Sequence, residues 1–161
     1  MDDIFTALDD SMANVGMILG SRFVAPLRTE AETLKKHISL LSDTIDEWLM
    51  CQKNWRYLKN IFSGPEIKRS LPDATTKFLQ VDKYFTELMK RTARGTNCLK
   101  TVKQYPQTFD LLVENNKKLD EVQKNLEQYM ELKRSSFPRF YFLSDDELID
   151  ILAKSKDYDV I

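Results

Sequence analysis

Apolar residues recur three or four positions apart along most of the chain, the spacing of one face of an α-helix. Ile4, Leu8, Met12, Val15 and Ile18 or Leu19 form such a stripe over residues 2–19. Gly20-Ser21 reads as a stop, and Pro26 marks the next start, because its ring removes an N–H and clashes with the preceding turn. From there Leu27, Ala31, Leu34, Ile38, Leu41, Ile45, Trp48, Gln52 and Trp55 alternate steps of four and three. This seam of period 3.5 continues through Leu58 to Ile61 and Phe62. An unbroken helix over 27–62 would be roughly 50 Å long at ~1.5 Å per residue, too long for the centre of a small globule. Ser63-Gly64-Pro65 ends it, with Gly64 permitting a left-handed cap and Pro65 following.

After a short turn, Pro72 suits the first position of a third helix, over 73–92, with Phe78, Val81, Phe85, Leu88 and Met89 on its buried face. Arg94-Gly95-Thr96-Asn97 reads as a loop, and Cys98–Tyr105 as a further short helical piece. A long helix over 106–134 carries the stripe Phe109, Leu112, Asn116, Leu119, Val122 or Gln123, Leu126, and Tyr129 or Met130. A polar seam member such as Asn116 fixes register more than it adds stability. Phe137-Pro138-Arg139-Phe140-Tyr141-Phe142-Leu143 does not fit an amphipathic helix and predicts an extended, largely buried connector over 137–143. Its Phe137, Pro138, Phe140, Tyr141 and Phe142 then join Trp48, Trp55 and Phe62 as core anchors. Loss of Phe140 or Phe142 to Ala should accordingly cost several kcal/mol. Ser144 and Glu147 have the spacing of a capping box for a last helix over 145–154, with Lys154 and Lys156 towards its end. At Val160-Ile161 the chain stops without a terminating signal, as a piece cut from a longer polypeptide would.

The elements make an all-α fold: an elongated bundle of long antiparallel helices with short connecting helices, in one segment over 1–161. Composition agrees. Of 161 residues, 42% are hydrophobic and 30% charged, with four Gly and five Pro, more apolar than disordered tails and poorer in turn residues than most all-β proteins. The net charge of −1 provides no global field for nucleic acid or acidic lipid. Cys51 and Cys98, far apart in sequence, suggest reduced structural thiols rather than a disulfide scaffold. The acidic start argues against a signal peptide, and the apolar run Met12–Leu19, interrupted by Asn14, is too short to span a bilayer.

Chemistry is sparse. One histidine, His37, beside the seam and expected to face solvent, and two separated cysteines cannot assemble a zinc site from the usual ligands. Gly16, Gly20, Gly64 and Gly95 never form a phosphate loop. No catalytic, metal or cofactor-binding residue is assigned. The structural candidates are hinges at Gly20, Pro26, Ser63, Gly64, Pro65 and Gly95, since reorientation concentrates at loops and element ends. Two tryptophans on a heptad seam also suit a spectrin-like scaffold that binds protein partners, although no fixed repeat period is present.

Several motifs, in order, resemble a known family. Ile45-Asp46-Glu47-Trp48-Leu49, Cys51-Gln52-Lys53-Asn54-Trp55-Arg56-Tyr57-Leu58 and Ile61-Phe62-Ser63 are similar to the linker of dynein heavy chains. So are Leu71-Pro72, Phe78, Val81-Asp82-Lys83, and above all Lys133-Arg134 with Phe137-Pro138-Arg139-Phe140-Tyr141-Phe142-Leu143-Ser144, Asp146-Glu147-Leu148 and Ile151-Leu152. Gly20-Ser21-Arg22-Phe23-Val24-Ala25-Pro26-Leu27 is more like axonemal than cytoplasmic forms. The resemblance implies the central part of a rod-like linker that bends over a ring of AAA+ modules. ATP and magnesium would be bound in that ring, outside this segment. It also implies the ring of the same heavy chain and other dynein subunits as partners, no nucleic acid or membrane, and residence in the axoneme of a cilium or flagellum. Stiffening Gly64 with Ala or Pro should then slow motility while sparing basal ATPase.

Overall fold

Residues 2–95 and 97–154 are described by a computed structural model of the chain, the side chains of Asp2, Ala153 and Lys154 excepted. Thr96 of the expected loop, and Lys156 and Val160-Ile161 of the expected end, lie outside the described residues. Among those described there are seven α-helices, two short 3-10 turns and no strand. The helices are α1 (Asp2–Gly20), α2 (Arg28–Ile61), α3 (Pro65–Ser70), α4 (Pro72–Arg94), α5 (Cys98–Gln104), α6 (Thr108–Ser136) and α7 (Asp145–Lys154). The 3-10 turns are Ala25–Leu27, ahead of α2, and Pro138–Phe142, ahead of α7.

Where one segment is expected, the chain divides into two compact units. Unit 1 comprises Met1–Met50 and Met89–Val113, and unit 2 comprises Cys51–Leu88 and Glu114–Ile161. The division falls within α2, α4 and α6.

In unit 1, α1 buries Val15 and half-buries Phe5, Leu8, Met12 and Leu19. Ile4, expected on that stripe, is exposed instead, and Leu19 rather than Ile18 fills its ambiguous last position. Ala31, Ile38, Leu41 and Thr44 of α2, with Val102 of α5 and Leu112 of α6, complete this core. Leu27 is also exposed, because it belongs to the 3-10 turn rather than to the helix whose seam it was expected to open.

In unit 2, α2 runs antiparallel to α4. Trp55 meets Phe85 with ring centroids 5.2 Å apart, and Phe62 stacks on Phe78 at 5.3 Å, so rising numbers on one helix pair with falling numbers on the other. The same holds for α4 and α6 through the Lys77–Glu121 ion pair and, just before α4, the bond from Tyr129 Oη to Ser70 Oγ. The core holds Leu58, Val81, Phe85, Leu119, Val122 and Leu126 at full or nearly full burial.

The strict 3.5 seam on α2 is not what the fold uses. Cys51 is wholly buried, whereas Trp48 and Trp55, expected as core anchors, are only half-buried. A straight α-helix drifts about 20° per heptad against a 3.5 repeat. Over the length of α2 the buried line therefore moves from the tryptophans to Cys51, and the indoles lie along its edge. On α6, Asn116 is buried as its seam position implies, and Val122 and Met130 rather than Gln123 and Tyr129 fill the ambiguous positions.

Candidate functional site

Three corners connect the long helices α1, α2, α4 and α6, a fourth leads from α6 to α7, and each is tied down by hydrogen bonds. In unit 1, α1 ends at Gly20 and the chain turns through Ser21–Val24. Ser21 N–H donates to the Ile18 carbonyl (3.1 Å), Val24 N–H to that of Ser21 (3.2 Å), and Leu27 N–H to that of Val24 (2.8 Å). Val24 is buried while Phe23 projects outward beneath the Arg22 guanidinium, 4.9 Å from the ring centroid. Pro26 sits inside the 3-10 turn, where its fixed φ is accommodated and its missing N–H is not needed. A Cβ on Gly20 would meet nothing within 4 Å, so no close approach requires glycine there.

The second unit 1 corner follows α4. Gly95 N–H donates to Thr92 O (3.0 Å), and Asn97 caps α5 by accepting the Lys100 N–H at 2.9 Å. Arg91 braces this corner by stacking on Tyr105, 4.3 Å from its centroid. His37, expected to face solvent, is instead half-buried in a shallow cavity of about 250 Å³ lined by Thr29, Thr33, Leu34 and Lys103.

The corner at Ser63-Gly64-Pro65 lies in unit 2. Gly64 has φ −67° and ψ 135°, an extended conformation open to any residue, and none of the described glycines has a positive φ. The expected left-handed cap is therefore absent. Gly64 serves as the N-cap of α3, with Pro65 at its first turn, while Ser63 Oγ donates back to Asn60 O at 2.6 Å. Phe62 beneath this turn is buried and stacked on Phe78. Just upstream, Asp82 Oδ1 accepts both the Trp55 indole N–H (2.8 Å) and the Lys59 ammonium (3.2 Å), and that ammonium also lies 4.4 Å from the Trp55 ring centroid. This clamp between α2 and α4 was missed in the sequence. The i,i+4 pair Trp55 and Lys59 was its local half, but Asp82 is far away along the chain.

The aromatic corner departs most from expectation. Residues 138–142 form a 3-10 turn, not an extended connector. Phe137, Pro138, Tyr141 and Phe142 are exposed, Phe142 by 90%, and only Phe140 is half-buried. The reason is local. Pro138 opens a turn in which Phe140 N–H donates to Phe137 O (2.8 Å) and Leu143 N–H to Phe140 O (3.1 Å), and so tight a turn fans consecutive side chains outward. Polar clamps hold it. Arg134 Nη2 donates to Leu143 O (3.1 Å) and to Asp145 Oδ1 (2.7 Å), and Tyr141 Oη donates to Glu131 Oε1 (2.7 Å). Phe142→Ala should therefore change stability by less than about 0.5 kcal/mol, as at other exposed positions. A urea midpoint shifted by more than that would show the ring to be covered.

Ser144 and Glu147 form the reciprocal pair. Glu147 Oε2 accepts the Ser144 N–H and hydroxyl, both at 2.9 Å, and Glu147 N–H reaches Ser144 Oγ at 3.4 Å. The Ser144 bonds hold the Glu147 carboxyl below its ordinary range, as Lys77 does for Glu121 and Lys118 for Glu114. A carboxylate depressed in the folded state adds stability above its unfolded pKa, about 4.3. That stability is lost as pH falls through the folded value. Glu147→Gln combined with Glu121→Gln should flatten the acid limb of the stability curve, read from denaturant midpoints at successive pH values. An unchanged limb would mean these groups are unperturbed.

Among the described residues no three His, Cys, Asp or Glu side chains gather as a metal site would require, and no helix is long and apolar enough to cross a membrane. Cys51 is buried, Cys98 is exposed, and they form no disulfide. The arrangement is one of braced helices and tight corners.

The family described as dynein heavy chain, N-terminal region 2, matches residues 1–161, and the chain belongs to it. Similar proteins within it include axonemal and flagellar heavy chains. Human dynein axonemal heavy chain 6 is 46% identical over 156 residues, 97% of this chain, and human dynein axonemal heavy chain 2 is 36% identical over 160 residues, or 99%. The Chlamydomonas reinhardtii dynein-1-beta heavy chain of the flagellar inner arm I1 complex is 38% identical over 159 residues, or 97%. The chain spans about 4% of the length of each.

Proposed function

We propose that this segment is part of the linker of an axonemal dynein heavy chain, a lever that bends and straightens over the AAA+ ring. It is itself non-catalytic and holds no cofactor. ATP, with magnesium, is hydrolysed in the ring elsewhere in the heavy chain, and the lever converts that turnover into movement along microtubules. Its partners are the ring of the same chain and, through the parent chain, other dynein subunits. It engages neither nucleic acid nor membrane. The axonemal and flagellar names of its relatives support a place in the axoneme.

One observation carries the reading. Each break between helices is a short corner braced by hydrogen bonds within its own unit, so reorienting the helices it joins must disturb that bracing. Such an element can store and release bending, which loose linkers cannot. The test stiffens one corner in the full heavy chain. Gly64 already has the φ of proline, so Gly64→Pro fits that residue's own backbone while removing the Gly64 N–H bond to Ile61 O (3.3 Å) and restricting Ser63 before it. Microtubule gliding should slow while basal ATPase persists. Equal loss of both, or of neither, would remove this corner from the lever.

A further inference from the structure

Helix α1 has a second, largely apolar face that nothing in unit 1 covers. At about 3.6 residues per turn, Ile4, Ala7, Ser11, Asn14 and Ile18 align beside the packed stripe. All five are exposed, Ile4 by 52% and Ile18 by 50%. Two of the five are polar. The Ser11 hydroxyl is turned inward, since Ser11 Oγ donates to Ala7 O at 2.7 Å. With the Ser11 proton so engaged, Asn14 is the side chain of the row that can offer both donors and an acceptor outward, and a single Asn on an apolar helix seam fixes the register of the helix it meets. The charges on α1 are all of one sign. Asp2, Asp3, Asp9 and Asp10 are its only ionisable residues, and Asp3 and Asp10 border the outer edge of the exposed row. A helix that is apolar over adjoining faces is ordinarily buried on both.

We infer that this face of α1 receives a helix from elsewhere in the same heavy chain, one whose apolar stripe is flanked by Lys or Arg. The charge pattern selects the occupant. A second copy would set carboxylates along carboxylates, and an anionic membrane would be repelled by the same edge. A basic-flanked helix instead gains paired charges beside the apolar contact, as at the edges of a coiled-coil seam. The relatives are about twenty-five times longer than this chain, so the polypeptide has ample sequence to supply such a helix in cis. The inference rests on family membership and is independent of the lever reading.

The test uses the full heavy chain with p-benzoylphenylalanine in place of Ile18 and, as control, of the exposed Lys36 on α2. Chains labelled with heavy and light isotopes are mixed, irradiated, digested and read by mass spectrometry. Position 18 should capture one peptide of the same molecule with Lys or Arg beside an apolar stripe, at least threefold above the control. Asp3→Lys with Asp10→Lys should lower that yield at least threefold. Capture of another polypeptide, mixed-isotope capture, a peptide without basic residues, or a yield no higher than at position 36 would each overturn the proposal.

Discussion

Phe85→Ala is expected to lower the stability of the chain by about 3–5 kcal/mol, the range for removing a fully buried phenylalanine. Phe85 has no exposed surface, and its ring lies 5.2 Å from that of Trp55. Truncation opens a cavity between α2 and α4, which their helical backbones are too stiff to close. It also removes the support on which the Trp55 indole is aimed at Asp82, so the clamp with Lys59 should weaken too. Urea unfolding should show a lower midpoint with an unchanged slope. The melting temperature should drop on the order of 10 °C for a chain of this size. A loss under about 1 kcal/mol, the usual scale for a point mutation, would mean the site relaxes around the gap.

Leu148→Ala should cost about 2.7–5 kcal/mol, and the damage should be local. Leu148 is fully buried on α7, which packs on α3, whose Ile67 is likewise buried. Neither helix is long enough to persist without that packing, since isolated helices below ~12–15 residues are marginal in water. Amide exchange should accelerate first in α7 and α3, ahead of α4 and α6. Uniform acceleration across unit 2 would show instead that α7 is integral to the cooperative core. Set against Phe142→Ala, a few residues away, the contrast between a large and a negligible effect maps which side of the corner is inside.

Where helices begin and end was largely legible, because those signals are chemical and local. Pro26, Pro65 and Pro72 cannot continue a helix, and Asn97 and the Ser144–Glu147 pair satisfy the first unpaired N–H groups from within a few residues. Facing was less legible. Hydrophobicity says that Phe137-Pro138-Arg139-Phe140-Tyr141-Phe142 should be covered, but a 3-10 turn has no apolar side to present as a unit. A period of 3.5 fitted α2 in sequence, yet the accumulating drift put Cys51 rather than Trp48 or Trp55 at the centre. Gly64 looked like a left-handed cap because Gly before Pro so often is one, whereas an extended N-cap satisfies the same two residues. The Trp55–Asp82–Lys59 clamp depends on the register between α2 and α4, which no short window contains. Of the hinge candidates, Gly20, Pro26, Ser63, Gly64, Pro65 and Gly95 all fall at corners, but none of these glycines has a positive φ.

The bonds that hold the aromatic corner join residues no more than 11 positions apart, from Arg134 to Asp145 at the widest. Loops of that length close in roughly 10–100 ns, far faster than distant helices find one another. On the ribosome, α3 emerges well before residues 131–147, which can fold back upon themselves as soon as they are free of the exit tunnel. The corner then acts as a jig: it orients α7 before docking, so that a ten-residue helix meets its seat already aimed.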